Sequence, residues 1–199
     1  APAEPSDRSH FFMTRAQAEV GAGDVPAAVQ ALREWENTEG PLPEQGRLLQ
    51  AEAKHLAGEY AAARQIVEPL CRQGMASALI RSLHYQRFTD PAAAEEQALA
   101  IDASDFSDSE RQQFEYVVAA NIWLLRDKLD AADRQLSMLL NAAIDAGHNE
   151  QAAACARRLA ELAMFRGELD RAEALIADGR ERAELSGSRQ RVYLLTTAA

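Results

Sequence analysis

Apolar residues recur every three to four positions along most of this chain, and polar residues fill the positions between them. One such stripe consists of Leu129, Ala132, Leu136, Leu140 and Ala143. This spacing places the apolar side chains on one face of an α-helix, whereas a half-buried strand would alternate every second residue. The pattern predicts five helix pairs, 9–22 with 25–37, 44–57 with 60–72, 76–88 with 91–101, 108–126 with 129–146, and 148–166 with 169–185.

A short phrase recurs inside each predicted pair, where the first helix ends and the second begins. Its copies are Gly23–Ala28, Gly58–Ala63, Asp127–Ala132, Gly167–Ala172 and a weaker one at Thr89–Ala94. Each copy runs from a small or polar residue through one larger side chain to an alanine. A phrase that recurs at a period of roughly 35 residues, with two helices in each period, is typical of a helical solenoid.

Turn and capping residues fall where the predicted helices begin and end. Gly23 can adopt the left-handed backbone that closes a helix, and Asp24 and Asp90 can cap the helices that follow. Residues 107–110, Ser-Asp-Ser-Glu, have the form of a capping box, which predicts a helix start near 108. A final apolar run within 189–199 predicts the start of a further helix.

Composition narrows the class of partner. The chain has 199 residues, 21 Lys and Arg against 31 Asp and Glu, and a net charge of −10. An acidic chain without a basic patch is repelled by phosphate backbones and anionic lipid, so we expect no nucleic-acid partner for this segment. No apolar run approaches the roughly 20 residues of a membrane-spanning helix.

Catalytic and metal-binding motifs are not found in the sequence. The four histidines have no metal-ligand spacing, and Cys71 and Cys155 lie too far apart in sequence for a paired metal knuckle. There is no phosphate-binding loop and no nucleophile elbow. We therefore expect a protein that is not an enzyme and holds no cofactor.

The repeated phrase resembles the tetratricopeptide repeat, a helix–turn–helix unit of about 34 residues. The resemblance implies an all-α, right-handed superhelix (α-solenoid) of about five antiparallel helix pairs. It gives an N-terminal tail at 1–8 and a repeat domain at 9–188. Its units are 9–42, 44–74, 75–104, 108–147 and 148–188. The greater length of the last two units, and the loss of the family's early aromatic signature, resemble the helical-repeat regulatory regions of large bacterial transcription activators and signalling proteins.

In that family, the first helix of each unit lines a concave groove that binds a ligand. With the five alanines as the register, the resemblance implies a partner-binding set in this chain. The set is His55, Leu83, Arg87, Phe114, Val117, Asn121, Arg157 and Glu161. The polar members would set specificity and the apolar members would supply contact area. For each of these residues, packing between helices is an alternative role.

Two functions follow as hypotheses. The first is a protein-interaction scaffold that presents its groove to a peptide or protein partner, as part of a larger bacterial-type regulatory or signalling protein. The second is an effector-sensing domain that binds a small molecule in the groove. The two unpaired cysteines favour a reducing cytoplasm, whereas a signal peptide removed before Ala1 would place the chain in the periplasm. The sequence does not determine the oligomeric state.

Overall fold

The computed structural model describes residues 7–187, which are helical almost throughout and contain no strand. The helices are α1 (Asp7–Ala22), α2 (Val25–Glu39), α3 (Glu44–Leu56), α4 (Tyr60–Arg72), α5 (Ala76–Gln86), α6 (Pro91–Ala100), α7 (Asp108–Val117), α8 (Leu129–Asp145), α9 (Asn149–Phe165) and α10 (Leu169–Leu185). A π-helical segment, Val118–Trp123, continues α7. The all-α prediction is confirmed for the described part of the chain.

The predicted helix pairs are reproduced to within two residues at nearly every end. One predicted helix differs in kind, because 108–126 changes from an α-helix to a π-helix at Val118. Of the expected N-terminal tail, Asp7 and Arg8 belong to α1. Residues 1–6 and the expected helix start at 189–199 lie outside the described residues.

Within residues 7–187, the same backbone turn closes one helix and starts the next at six positions. At the first, the Gly23 N–H donates to the Val20 carbonyl (3.0 Å) and the Asp24 N–H donates to the Glu19 carbonyl (3.0 Å). This pair of hydrogen bonds defines the Schellman motif, which satisfies two carbonyl groups at a helix end. The left-handed residues of these turns are Gly23, Gly58, Gly74, Asp127, Gly147 and Gly167. In each case the next helix begins two residues later.

Side-chain caps support the helix starts that the sequence predicts. The Asp24 carboxylate accepts a hydrogen bond from the Ala27 N–H (3.1 Å), and Asp90 accepts one from the Ala93 N–H (3.0 Å). The Ser107 hydroxyl accepts from the Glu110 N–H (3.3 Å), while the Glu110 carboxylate accepts from the Ser107 N–H (3.0 Å). The predicted capping box is therefore present.

The alanine that ends each repeated phrase is buried in every pair. Ala28, Ala63, Ala94 and Ala132 have no exposed surface, and Ala172 is 3% exposed. At these positions two helices approach closely, and a methyl group is the largest side chain that the spacing accepts without rearrangement.

The chain divides into two compact units, with the boundary between Ala94 and Glu95. In the first unit, Trp35 packs with Leu42 and Leu49, and Tyr85 packs with Val67 and Leu70. In the second unit, α8 and α9 form the centre of the core. The buried cluster there includes Leu136, Leu139, Leu140, Cys155 and Leu159.

Candidate functional site

In the first unit, the predicted residue His55 lies in a cluster of aromatic rings between α3, α4 and α5. Its ring stacks on Tyr85 with the centroids 5.1 Å apart, and it meets the His84 ring edge to face at 4.8 Å. Tyr60 stacks on Phe88 at 4.3 Å beside it. These rings pack closely against one another and form a half-buried aromatic surface.

The two histidines of this cluster are joined through their ring nitrogens. Nε2 of His55 and Nε2 of His84 lie 3.3 Å apart. One of these nitrogens must donate and the other accept, so the contact requires at least one neutral ring. Burial lowers the pKa of His55; the Glu52 carboxylate opposes this shift and the Arg87 guanidinium adds to it. The cluster therefore favours neutral imidazole.

The other two predicted residues of the first unit lie in different surroundings. Leu83 has no exposed surface, so it packs between helices and offers no area to a partner. Arg87 is half-buried; its guanidinium carbon lies 4.0 Å from the centre of the Phe88 ring, and its Nε donates to the His84 carbonyl (3.2 Å). This cation–π contact holds the Arg87 head over the aromatic cluster.

In the second unit, the structure brings three predicted residues together in one polar network. Asn121, Arg157 and Glu161 are joined there by Arg158. Arg158 donates from Nη1 to the Glu161 carboxylate (2.7 Å) and from Nη2 to the side-chain amide oxygen Oδ1 of Asn121 (3.2 Å). Arg157 donates to the other oxygen of the same carboxylate. One carboxylate thus serves two guanidinium groups, which leaves a positive charge in an acidic chain.

Two separate helical segments position this network. Arg157, Arg158 and Glu161 lie within about one turn of α9, and the π-helical segment supplies Asn121. Asn121 is only 3% exposed, so its amide is held in place by packing as well as by Arg158. A π-helical turn inside an α-helix frequently marks a functional site, because it changes which side chains share a face.

The charge on Arg158 is strongly supported by its neighbours. Burial opposes the charged form, but Tyr116 and Glu161 outweigh it and raise the pKa of the guanidinium. Arg158 Nε is buried and makes no hydrogen bond to the described residues. The guanidinium is therefore fixed and charged, and part of its donor capacity is unused.

An open groove of about 550 Å³ adjoins the network between α7 and α9. Its α7 side is formed by Ser109, Gln113 and Tyr116, and its α9 side extends from His148 to Gln151 and includes Ala154. Tyr116 borders the groove and also interacts with Arg158, so the groove and the network are continuous. The polar groups of the lining are the hydroxyls of Ser109 and Tyr116, the amides of Gln113, Asn149 and Gln151, the His148 ring and the Glu150 carboxylate.

Phe114 and Val117 do not join this network. Val117 is 6% exposed and packs in the core. Phe114 contacts Phe106 edge to face at 5.8 Å and borders a separate cavity of about 200 Å³. That cavity is also lined by Leu99, Val118 and Trp123, with Glu95 and Glu115 at its polar edge.

Two residues of the network were not in the predicted set, Arg158 and Tyr116. The repeat register assigns the groove to fixed positions of a regular helix, and the π-helical segment breaks that regularity. A usable signal was the Arg157–Arg158 pair itself, because Glu161 lies four residues from the first arginine and three from the second. Both spacings place the carboxylate beside the guanidinium groups on a helix surface.

Residues 7–187 were also searched for metal sites, membrane-spanning helices and disulfides. This part of the chain has no cluster of three or more His, Cys, Asp or Glu side chains able to hold a metal ion. Within the same residues, no helix has the length and apolar character needed to cross a membrane. Neither Cys71 nor Cys155 forms a disulfide; Cys155 is buried, and burial raises the pKa of Cys71.

Comparison of the chain with protein-family models, curated proteins and solved structures gave no match.

Proposed function

We propose that this chain is a non-catalytic protein-interaction scaffold that binds a peptide or protein partner in the groove between α7 and α9. The observation that carries the proposal is the polar network beside that groove, in which Arg157 and Arg158 share the single carboxylate of Glu161. A fixed network of charged groups next to an open groove is suited to orient a partner.

The charges of the network indicate which partner groups fit it. Arg158 is held by hydrogen bonds to Asn121 and Glu161, so its guanidinium has a fixed position beside the groove. Arg157 is bound to Glu161 alone among the hydrogen bonds of the network, and 26% of its side chain is exposed. Its planar head can form paired hydrogen bonds, so we expect it to meet an acidic or carbonyl-rich segment of the partner.

The test compares two half-buried arginines, each in an i, i+4 ion pair. Arg157 pairs with Glu161 on α9, and Arg182 pairs with Asp178 on α10; their side chains are 26% and 20% exposed. Peptides would be selected from a displayed random library on the intact chain, and their affinities measured by calorimetry. We expect Arg157→Ala to weaken binding by more than about 1 kcal/mol and Arg182→Ala to leave it unchanged. Equal affinities for both variants, with unchanged circular dichroism, would reject the groove as the binding site.

An effector-sensing role is the second candidate, and the cavity of about 200 Å³ beside Trp123 favours it. Phe114 and Trp123 give it aromatic walls, and Glu95 and Glu115 give it a polar edge, as in many small-molecule sites. A small metabolite that binds there should raise the melting temperature of the chain. Ala98→Leu, which fills the cavity, should abolish that rise; a rise that survives Ala98→Leu would place the metabolite elsewhere.

The arrangement of the helix pairs is a further part of the proposal. We propose that they follow one another as in tetratricopeptide repeats, in a right-handed superhelix, within a regulatory or signalling protein. Four of the Schellman turns, at Gly23, Gly58, Asp127 and Gly167, lie at the same place inside a helix pair, which supports a repeat. An experimental structure of the intact chain tests the handedness directly.

A further inference from the structure

The small cavity beside Trp123 in the second unit is lined by residues from four helical segments. Helix α6 contributes Glu95 and Ala98, α7 contributes Phe114, the π-helical segment contributes Trp123, and α8 contributes Gln135. Its volume of about 200 Å³ matches the space that roughly seven water molecules occupy in the liquid. A ligand that fills the cavity is therefore a small molecule.

Two aromatic rings border this cavity. Phe114 meets Phe106 edge to face with the ring centroids 5.8 Å apart. Trp123 is partly buried and packs on the core formed by α8 and α9. Both rings are thus held by neighbouring side chains. Aromatic rings attract a cation that lies over the ring, and an indole attracts it most strongly.

Among the described residues that line the cavity, the charged side chains are both carboxylates, Glu95 and Glu115. The charge of Glu95 is already met by two cations, because Lys128 donates to its Oε1 and Arg126 donates from Nε to its Oε2 (3.3 Å). These contacts lower the pKa of Glu95, that of Lys128 most strongly. Glu95 is therefore ionised, and its charge is balanced within the protein.

The charge of Glu115 is not balanced by any cation of the described residues. Its Oε2 accepts a hydrogen bond from Nε2 of Gln135 (3.0 Å), and its Oε1 accepts none within residues 7–187. The Gln135 amide is neutral, so it orients the carboxylate without offsetting the charge. The cavity thus has one oriented carboxylate with an oxygen available to a ligand.

This lining distinguishes between classes of ligand. An anion is repelled by the carboxylate, and an uncharged ligand removes water from Glu115 without replacing the charge interaction. A metal ion requires several ligands, and residues 7–187 contain no group of three or more side chains able to hold one. An organic ammonium ion satisfies both parts of the lining, since its charge pairs with the carboxylate and its alkyl groups contact the rings.

We propose that this cavity binds a small organic ammonium ion, whose charge pairs with Glu115 and whose alkyl groups pack on Phe114 and Trp123. The proposal rests on the effector-sensing role given above as the second candidate function, and it names the chemical class of the effector.

The test compares choline with the uncharged alcohol dimethylbutanol, in which a carbon atom replaces the nitrogen of choline. The chain has two tryptophans, so the two indole N–H signals in its NMR spectrum report on Trp123 and on Trp35, which is buried in the first unit and is the internal control. Choline should shift the Trp123 signal alone, with a Kd at least about tenfold lower than that of the alcohol. Potassium chloride at equal concentration should shift neither signal.

Two carboxylate variants then locate the charge that choline meets. Glu115→Gln keeps the shape of the side chain and removes its charge, so it should weaken choline binding at least about fivefold and leave the alcohol unaffected. Glu96→Gln, at an exposed carboxylate of α6, is the matched control and should change neither affinity. The comparison of the two compounds on the unaltered chain does not depend on the folding of any variant.

Three results would overturn the proposal: equal Kd values for choline and the alcohol, choline affinity that survives Glu115→Gln, or no shift of the Trp123 signal with choline. The effector-sensing role would outlive such a result only if the uncharged alcohol still bound and Ala98→Leu abolished its binding. Failure of the ammonium assignment and failure of the cavity as an effector site are thereby told apart.

Discussion

Burial of the His55 ring makes the stability of the first unit sensitive to pH. The folded state lowers the pKa of His55 from its usual 6.5, chiefly by burial, so the unfolded chain binds the proton more readily. The stability that neutral His55 contributes is nearly complete about one pH unit above the unfolded-state pKa, and it is lost as the pH falls from there towards about 5.5. One full proton corresponds to a slope of about 1.4 kcal/mol per pH unit. The slope should stay well below that value, since the ring is only half-buried.

Urea unfolding at pH 7.5 and 5.5 checks this prediction. His55→Phe keeps a planar ring on Tyr85 and removes the titrating group, so the loss of stability between the two pH values should shrink. His10→Gln, at an exposed histidine of α1, is the matched control and should behave like the parent chain. An unchanged pH dependence in His55→Phe would show that other groups control it.

Asp127 holds a backbone conformation that glycine takes at the other five Schellman turns. Its φ is 55°, in the left-handed region where a Cβ atom costs roughly 1 kcal/mol. Asp127→Gly removes that strain but adds freedom to the unfolded chain, so we expect a net gain of about 0.5 kcal/mol in the free energy of unfolding. The reciprocal change, Gly147→Asp, should destabilise the chain, and thermal unfolding of both variants gives the comparison.

Individual site residues were only partly predictable from the repeat register. Asn121, Arg157 and Glu161 meet as a group, but through Arg158, which the register did not include. Leu83 and Val117 occupy positions of the same register, but both side chains are buried. The same helix face also packs against neighbouring helices, so a position on it can lie in the core. The register carries no information on how deeply a given side chain lies.

At the scale of helices, an ion cluster joins α8 to α9 and α10. Both oxygens of the Asp133 carboxylate accept hydrogen bonds, one from Arg171 (2.6 Å) and the other from Arg166 (2.7 Å). These arginines lower the pKa of Asp133, Arg171 most strongly. The Asp133 side chain is 18% exposed, so the pairing is weakly screened and ties the three helices together.

Asp133→Asn should therefore cost about 1–3 kcal/mol of unfolding free energy, because two guanidinium groups lose their charged acceptor. Glu68→Gln removes an exposed i, i+4 partner of Arg72 on α4 and should change stability by less than about 0.5 kcal/mol. Chemical denaturation at neutral pH measures both variants. Equal losses would mean that the Asp133 cluster acts as an ordinary surface ion pair.

The start and end of each helix were far more predictable than the change from α-helix to π-helix at Val118. Glycines, aspartate caps and the Ser107–Glu110 box are local signals, and each depends on a few neighbouring residues. The π-helical segment at Val118–Trp123 has no such local signal, because its apolar sequence fits an α-helix equally well. The contacts that this segment makes, such as that of Asn121 with Arg158, join residues 37 positions apart and so have no local sequence signal.

The molecule as a whole follows the repeat in its buried alanines but not in its division into units. The sequence shows five similar phrases, and nothing in them marks a boundary near Ala94. The structure nevertheless forms two compact units on either side of that position. In a chain whose elements contact mainly their neighbours, a local change should disturb its own unit most.

Enlarging one buried alanine in each unit tests this locality. Ala63 and Ala132 each have no exposed surface, so Ala63→Leu and Ala132→Leu should each cost about 1–3 kcal/mol through overpacking. Native-state hydrogen exchange should show faster exchange within 7–94 for Ala63→Leu and within 95–187 for Ala132→Leu. Each variant is the control for the other, since the substitution is identical. If either variant accelerates exchange equally in both ranges, the two units unfold as one cooperative body and stability is not carried locally.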